Sequence, residues 1–133
     1  MANFNRVFSG APWEQQVGYC RAIKAGPLVH VSGTAPVTDD GSVAFPGDGY
    51  RQAARCLEII RLALAELGIG MNAVTRTRML VTDISRWREY GQAHREAFAE
   101  SPPATTMVEV KGLIDPKMLI EIEAEAYVSD IMD

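Results

Sequence analysis

The sequence predicts an α+β sandwich, a mixed β-sheet with two helices on one face. Three observations carry this. Thr105 to Lys111 and Met118 to Val128 alternate with period two, the signature of strands that bury one face. Asp48 to Leu67 repeats apolar residues at helical spacing, and a second helical stretch runs from Asp83 or Ser85 to about Ala99. The predicted order is β-β-β-α-β-α-β-β.

Asn5 to Phe8 is short and suits an edge strand. Ser9 to Trp13, with Gly10 and Pro12, reads as a loop. Val17 to Lys24 reads as a strand, ended by Gly26 and Pro27. Leu28 to Thr34 follows closely enough to form a hairpin with it. Ala35 to Gly49 is rich in Pro, Gly and Asp and long enough for a lid or rim. In the first helix Tyr50, Ala54, Leu57, Ile60, Leu64 and Leu67 form the apolar stripe. Asp48 caps its free amides, and Gly68 and Gly70 end it. Val74 to Thr82 is the next strand, with Thr75, Thr77, Met79 and Val81 on one face and Arg76, Arg78 and Leu80 on the other. In the second helix Trp87, Tyr90, His94, Ala97 and Phe98 form the inward stripe. Pro102 and Pro103 forbid its continuation.

The last two strands set the character of the sheet. Ile120, Ile122, Ala124 and Ala126 share a core face; Glu121, Glu123, Glu125 and Tyr127 share the opposite one. Alternation places Thr106, Val108 and Val110 on one side of the preceding strand, with Thr105, Met107, Glu109 and Lys111 on the other. The predicted second face of the sheet then holds His30, Ser32, Arg76, Arg78, Thr105, Glu109, Glu121 and Glu123, mixed with Leu28, Leu80, Met107 and Leu119. That is too apolar for an open surface and too charged for a monomer core. A homo-oligomer that buries this face, with Arg and Glu satisfying each other, answers both.

A chain of 133 residues suits one domain with a single hydrophobic core. A net charge of −4 disfavours a general role in binding polyphosphate or nucleic acid. Cys20 and Cys56 lack metal-ligand spacing and read as free thiols of a reducing compartment. The two histidines, His30 and His94, form no metal pair and read as structural. No apolar run approaches the roughly 18 residues of a membrane span. The opening stretch, MANFNRVFSG, lacks the layout of a signal peptide, so a cytoplasmic location is the expectation. There is no phosphate loop, triad or nucleophile elbow.

LVHVSGTAP (Leu28 to Pro36), the helix QAARCLEIIRLALAELG, VTDISRWREYGQAHREAF (Val81 to Phe98) and PPATTMVEVKGLIDPKMLIEIEAEA occur in this order. Together they make the chain resemble the YjgF/RidA family, also called endoribonuclease L-PSP-like, over nearly its whole length. The resemblance implies a chorismate-mutase-like fold and a homotrimer, with sheets in a central barrel, helices outside, and clefts between neighbouring subunits. It implies that members with full sites hydrolyse reactive enamines and imines, such as 2-aminoacrylate, to keto acids and ammonia. It implies neither metal nor organic cofactor.

Carried over residue by residue, the resemblance matches the cleft tyrosine to Tyr19, the serine of the S-G motif to Ser32 and the glutamate of E-I-E to Glu121. It places Gln92 where the family has an asparagine and Met107 where it has a cysteine. The arginine of the P-A-R motif falls on Thr105. A guanidinium holds a carboxylate by a two-pronged charged pair, which one neutral hydroxyl cannot replace. Arg76 and Arg78 are then the candidates for a substitute cation, with cross-strand pairing to Glu121, Glu123 or Glu125 as their structural role. In the catalytic outline, Glu121 positions or deprotonates water. Backbone amides near Thr105 to Met107 steady developing charge. Ser32 bonds ligand or water, and Tyr19 walls the cleft.

Two functions fit this outline. One is an enamine/imine deaminase; the other is a ligand-binding or chaperone-like trimer that uses the same clefts without hydrolysis. Ribonuclease or translation-inhibitor activity, which the older family name suggests, is disfavoured by the acidic charge and the absence of a basic-aromatic stripe.

Overall fold

A computed structural model describes residues 4–129; residues 1–3, the start of the stretch inspected for a leader, lie outside them. The elements are β1 (Asn5–Val7), α1 (Pro12–Val17), β2 (Ala22–Ala25), β3 (Leu28–Thr34), α2 (Gly49–Glu66), β4 (Val74–Val81), α3 (Trp87–Phe98), β5 (Ala104–Glu109) and β6 (Ile120–Tyr127). The strands form one six-stranded sheet in the order β1-β2-β3-β6-β4-β5. Among the described strands only β4 and β5 run parallel, which makes the sheet mixed. The connection between them carries α3, as a parallel crossover requires.

Helices α2 and α3 cover one face of the sheet. Ile120, Ile122, Ala124 and Ala126 of β6 supply the middle of the core, beneath Leu57, Ile60 and Leu64 of α2 and Tyr90 and Phe98 of α3. Full burial of a side chain such as Ile60 stabilises the fold by about 1.5–3 kcal/mol. Asp48 caps α2 by accepting from the Arg51 amide at 2.9 Å. Gly68, at φ +75°, takes the left-handed conformation just past the helix end. Among the described residues no helix is long and apolar enough to cross a membrane.

The structure corrects five details of the sequence reading. Val17 to Lys24 is not one strand: its start belongs to α1, and β2 begins only at Ala22. The signals were Pro12 at the first helical position and Gly18, at φ +90°, as the left-handed cap. Glu14 holds α1 in place, accepting hydrogen bonds from the Ser9 amide and hydroxyl.

The buried stripe of α2 is rotated toward Gln52, Ala53 and Cys56, leaving Tyr50 and Ala54 partly covered. In α3, Ala93 is buried where Trp87 and Ala97 were expected, and Trp87 lies 48% exposed with the Arg88 guanidinium over its ring. Gly70 is extended rather than left-handed, at φ −94°.

The faces of β5 are the reverse of the expectation. Thr105 stands opposite Thr77 and Met107 opposite Met79, on the helix side, while Thr106 stands opposite Arg78 on the open side. Glu109 also turns toward the helix layer and accepts from the Ile84 amide at 3.0 Å. β5 is an edge strand, exposed along most of its length, so its own alternation carried no signal of which side was buried.

Candidate functional site

The pairing of β3 with β6 slips by one residue between Val31 and Thr34. Val31 and Thr34 both point into the core, so Ser32 and Gly33 form a bulge. Glu121, near the start of β6, alternates outward between the fully buried Ile120 and Ile122. Its carboxylate rests over Gly33, where an added Cβ would lie 2.6 Å from Oε2. A glycine in a strand marks such a close approach, and the S-G dipeptide is where the sequence signalled it.

Around Glu121 opens a cavity of about 720 Å³. Tyr19, Arg21 and Gly33 line it, together with the rim after β3, the loop after β5, α1 and one flank of α2. The Ala35 to Gly49 stretch does form part of the rim, folded back by a bridge between Val37 and Val43. Cavities of roughly 300–1,000 Å³ are typical of small-molecule sites.

Arg21 is the cation beside Glu121, and the sequence reading missed it. It is 7% exposed, its Nη2 donates to the Gly33 carbonyl at 2.7 Å, and its guanidinium lies over the Tyr19 ring at 5.6 Å. Its Nε is buried without a hydrogen-bond partner. Such an unmatched donor costs about 1–3 kcal/mol, and attraction between the guanidinium and Glu121 opposes that cost. Burial raises the proton affinity of Glu121, Arg21 lowers it and Glu123 raises it; burial dominates, so the carboxyl sits above its ordinary pKa. A carboxylate in this state can accept a proton from water or return one to a leaving group.

The other expected site residues fall into two groups. Tyr19 lines the cavity with Glu121; Ser32, next to Gly33, is not among the lining residues, and its hydroxyl is spent on the Cys20 carbonyl at 2.8 Å, holding the bulge against β2. Thr105, Met107 and Gln92 lie away from the cavity. Thr105 is exposed on β5 and takes a hydrogen bond from Thr77 at 2.7 Å; Thr77 in turn contacts buried His94 Nε2 at 2.8 Å. Met107 packs against the core, and Gln92 donates to Glu96 on the outside of α3. Arg76 and Arg78 are on the open face, reaching Thr106 at 3.2 Å and Glu123 at 3.5 Å, so neither supplies a cation to Glu121. Among the described residues no group of His, Cys, Asp and Glu is placed to hold a metal.

The crystal structure of Rv2704 from Mycobacterium tuberculosis, described as a member of the highly conserved YjgF/YER057c/UK114 family, matches with a TM-score of 0.86 and 46% identity. The match covers 95% of this chain and 100% of that one. A model of the family described as Endoribonuclease L-PSP matches residues 10–128. The chain belongs to the YjgF/RidA family. An uncharacterized Streptomyces coelicolor protein, SCO2049, is 38% identical over 92% of this chain and 90% of its own length. The 3-aminoacrylate deaminase RutC of Acinetobacter baylyi is 34% identical over 83% of this chain and 86% of its own length. In this chain the cavity surrounds Glu121 with a sheltered Arg21 and an apolar flank of α2.

Proposed function

We propose that the chain is a hydrolase of enamines or imines, working in clefts shared between the subunits of a homotrimer. The observation that carries this reading is the half-buried Glu121 carboxyl, raised in proton affinity, facing a cavity of ligand size. Similarity to a 3-aminoacrylate deaminase supports it.

Glu121 takes a proton from water as the water oxygen bonds to the carbon of a protonated C=N group. The π electrons of that bond move to nitrogen. Proton return from Glu121 to nitrogen, loss of the hydroxyl proton and cleavage of the C–N bond then release ammonia and leave a carbonyl. No oxidant or reductant enters the balance.

The split of the site favours a ring of copies. The cavity lies by β3 and β6, whereas Thr105 stands on β5 at the sheet edge. Two different surfaces of one chain meet in a head-to-tail arrangement, and a closed ring satisfies both. The open sheet face, with Arg78, Glu123 and half-exposed Leu28, Val108 and Tyr127, is the surface the ring would bury.

The test is ammonia release from freshly generated 2-aminoacrylate and bulkier imines, with Glu121→Ala assayed in parallel. Turnover lost in the variant supports the hydrolase. No turnover on any imine by a folded trimer shifts the reading to a ligand-binding trimer, which the neutral Thr105 favours. A monomeric mass in solution would sink the shared cleft.

A further inference from the structure

We propose that the cavity selects a cationic imine or amine that carries an apolar arm and no carboxylate. For its chemistry this rests on the hydrolytic reading above; for binding it stands alone.

Charge is the first ground. Four carboxylates line the cavity, from Asp39, Asp40, Glu66 and Glu121, against the two guanidiniums of Arg21 and Arg55. Arg55 is engaged by its neighbours, and Arg21 is covered and spends one of its nitrogens on the Gly33 carbonyl. Arg55 donates to the Val37 carbonyl at 2.6 Å and pairs with Asp39 at 3.3 Å. Arg21 is sheltered beneath Tyr19 and tied to Gly33. Asp40 accepts from Thr38 and Ser42, which hold its pKa near 2, so it stays charged. A ligand entering this space meets net negative charge, with Arg55 paired to Asp39 and the Arg21 guanidinium almost wholly covered. An incoming carboxylate loses its hydration here and gains no two-pronged partner. An iminium or ammonium gains Glu121.

The apolar lining is the second ground. Val7, Trp13, Val17, Ile59, Leu62 and Ala63 supply a wall that a three-carbon compound cannot cover. Val17 and Leu62 are 73% and 48% exposed, so this wall has no cover within the chain. Each methylene buried against such a wall tightens binding about fourfold. The class that satisfies both grounds is the imine of an apolar amine, or that amine itself. Oxidation of an apolar primary amine is the reaction class that would supply it.

Calorimetric titration of the full chain with isopentylammonium, isocaproate and methylammonium separates the terms. The first two share an arm and differ in charge; the first and third share a charge and differ in arm. Isopentylammonium is expected to bind at least about tenfold tighter than either. Leu62→Ser, at an exposed helix position, is expected to remove most of the preference over methylammonium while leaving the fold intact. Equal or tighter binding of isocaproate overturns the proposal, as does equal binding of the two ammonium ions. Failure of the hydrolytic reading looks different: isopentylammonium binds as described, yet no imine is turned over.

Discussion

The Glu121 carboxylate rests directly over Gly33, and a β-carbon there would stand 2.6 Å from Oε2. The clash is with the far end of a flexible side chain rather than with backbone. Gly33→Ala should therefore fold, with a stability change within about 1 kcal/mol, while swinging the carboxylate off its station. Loss of a placed general base costs about 10²-fold or more in turnover. The check is imine turnover beside thermal melting. Full activity in the alanine variant would mean that the carboxylate position over Gly33 is not the working one.

Glu121 is also a source of instability at neutral pH. Its folded pKa is raised above 4.5, chiefly by burial. The folded protein thus holds this proton to higher pH than the unfolded chain does. The associated stability is fully present below about 4.5 and is lost as pH rises through the folded pKa. Glu121→Gln keeps the shape and removes the charge. It should raise the urea midpoint at pH 7.5 while matching wild type near pH 4. The Arg21 guanidinium opposes this, since it loses a partner, but burial is the larger cause of the shift. An equal offset at both pH values would show that the titration of Glu121 is not responsible.

Gln52 is a polar hub inside the core. Its amide nitrogen donates to the carbonyls of Ala44, at 3.0 Å, and Lys117, at 3.0 Å, and its oxygen accepts from the Leu119 amide at 2.8 Å. It ties the end of the rim loop to the entry of β6. Gln52→Leu is nearly isosteric but strands those backbone groups, at a cost on the order of 3 kcal/mol. A denaturant titration measures it. A cost under about 1 kcal/mol would mean that the backbone finds other partners.

These residues show why some of the molecule was legible in the sequence and some was not. β6 was read correctly because Ile120, Ile122, Ala124 and Ala126 alternate strictly with glutamates, and burial follows the same parity. β5 was not, because Thr105 to Glu109 mixes polar and apolar residues on both faces of an edge strand. Glu121, Tyr19 and the rim loop, which line the cavity, were singled out through motif and composition. Arg21 was missed because a charged residue beside a strand ordinarily faces water, and only the bulge at Ser32 and Gly33 brings the Gly33 carbonyl to it. The apolar wall was missed because α2 buries its opposite flank in the core, leaving Ile59 and Leu62 outside the stripe.

Buried His94 should give the fold an acid-sensitive limb. It is 9% exposed, packs its ring at a tilt against Phe98, with centroids 4.7 Å apart, and meets the Thr77 hydroxyl, which bridges to Thr105. No charged group is among the causes of its shift; desolvation alone lowers its pKa below 6.5. Below that value the unfolded chain takes up a proton that the folded protein resists. More protons are bound in the unfolded state, so stability rises with pH across this window and is lost as pH falls through it. The contribution is fully present above about 6.5. Urea midpoints between pH 7.5 and 5.5 should therefore fall in the wild type and fall less steeply in His94→Gln, which can still reach Thr77. Parallel slopes in the two proteins would assign the acid limb to another group.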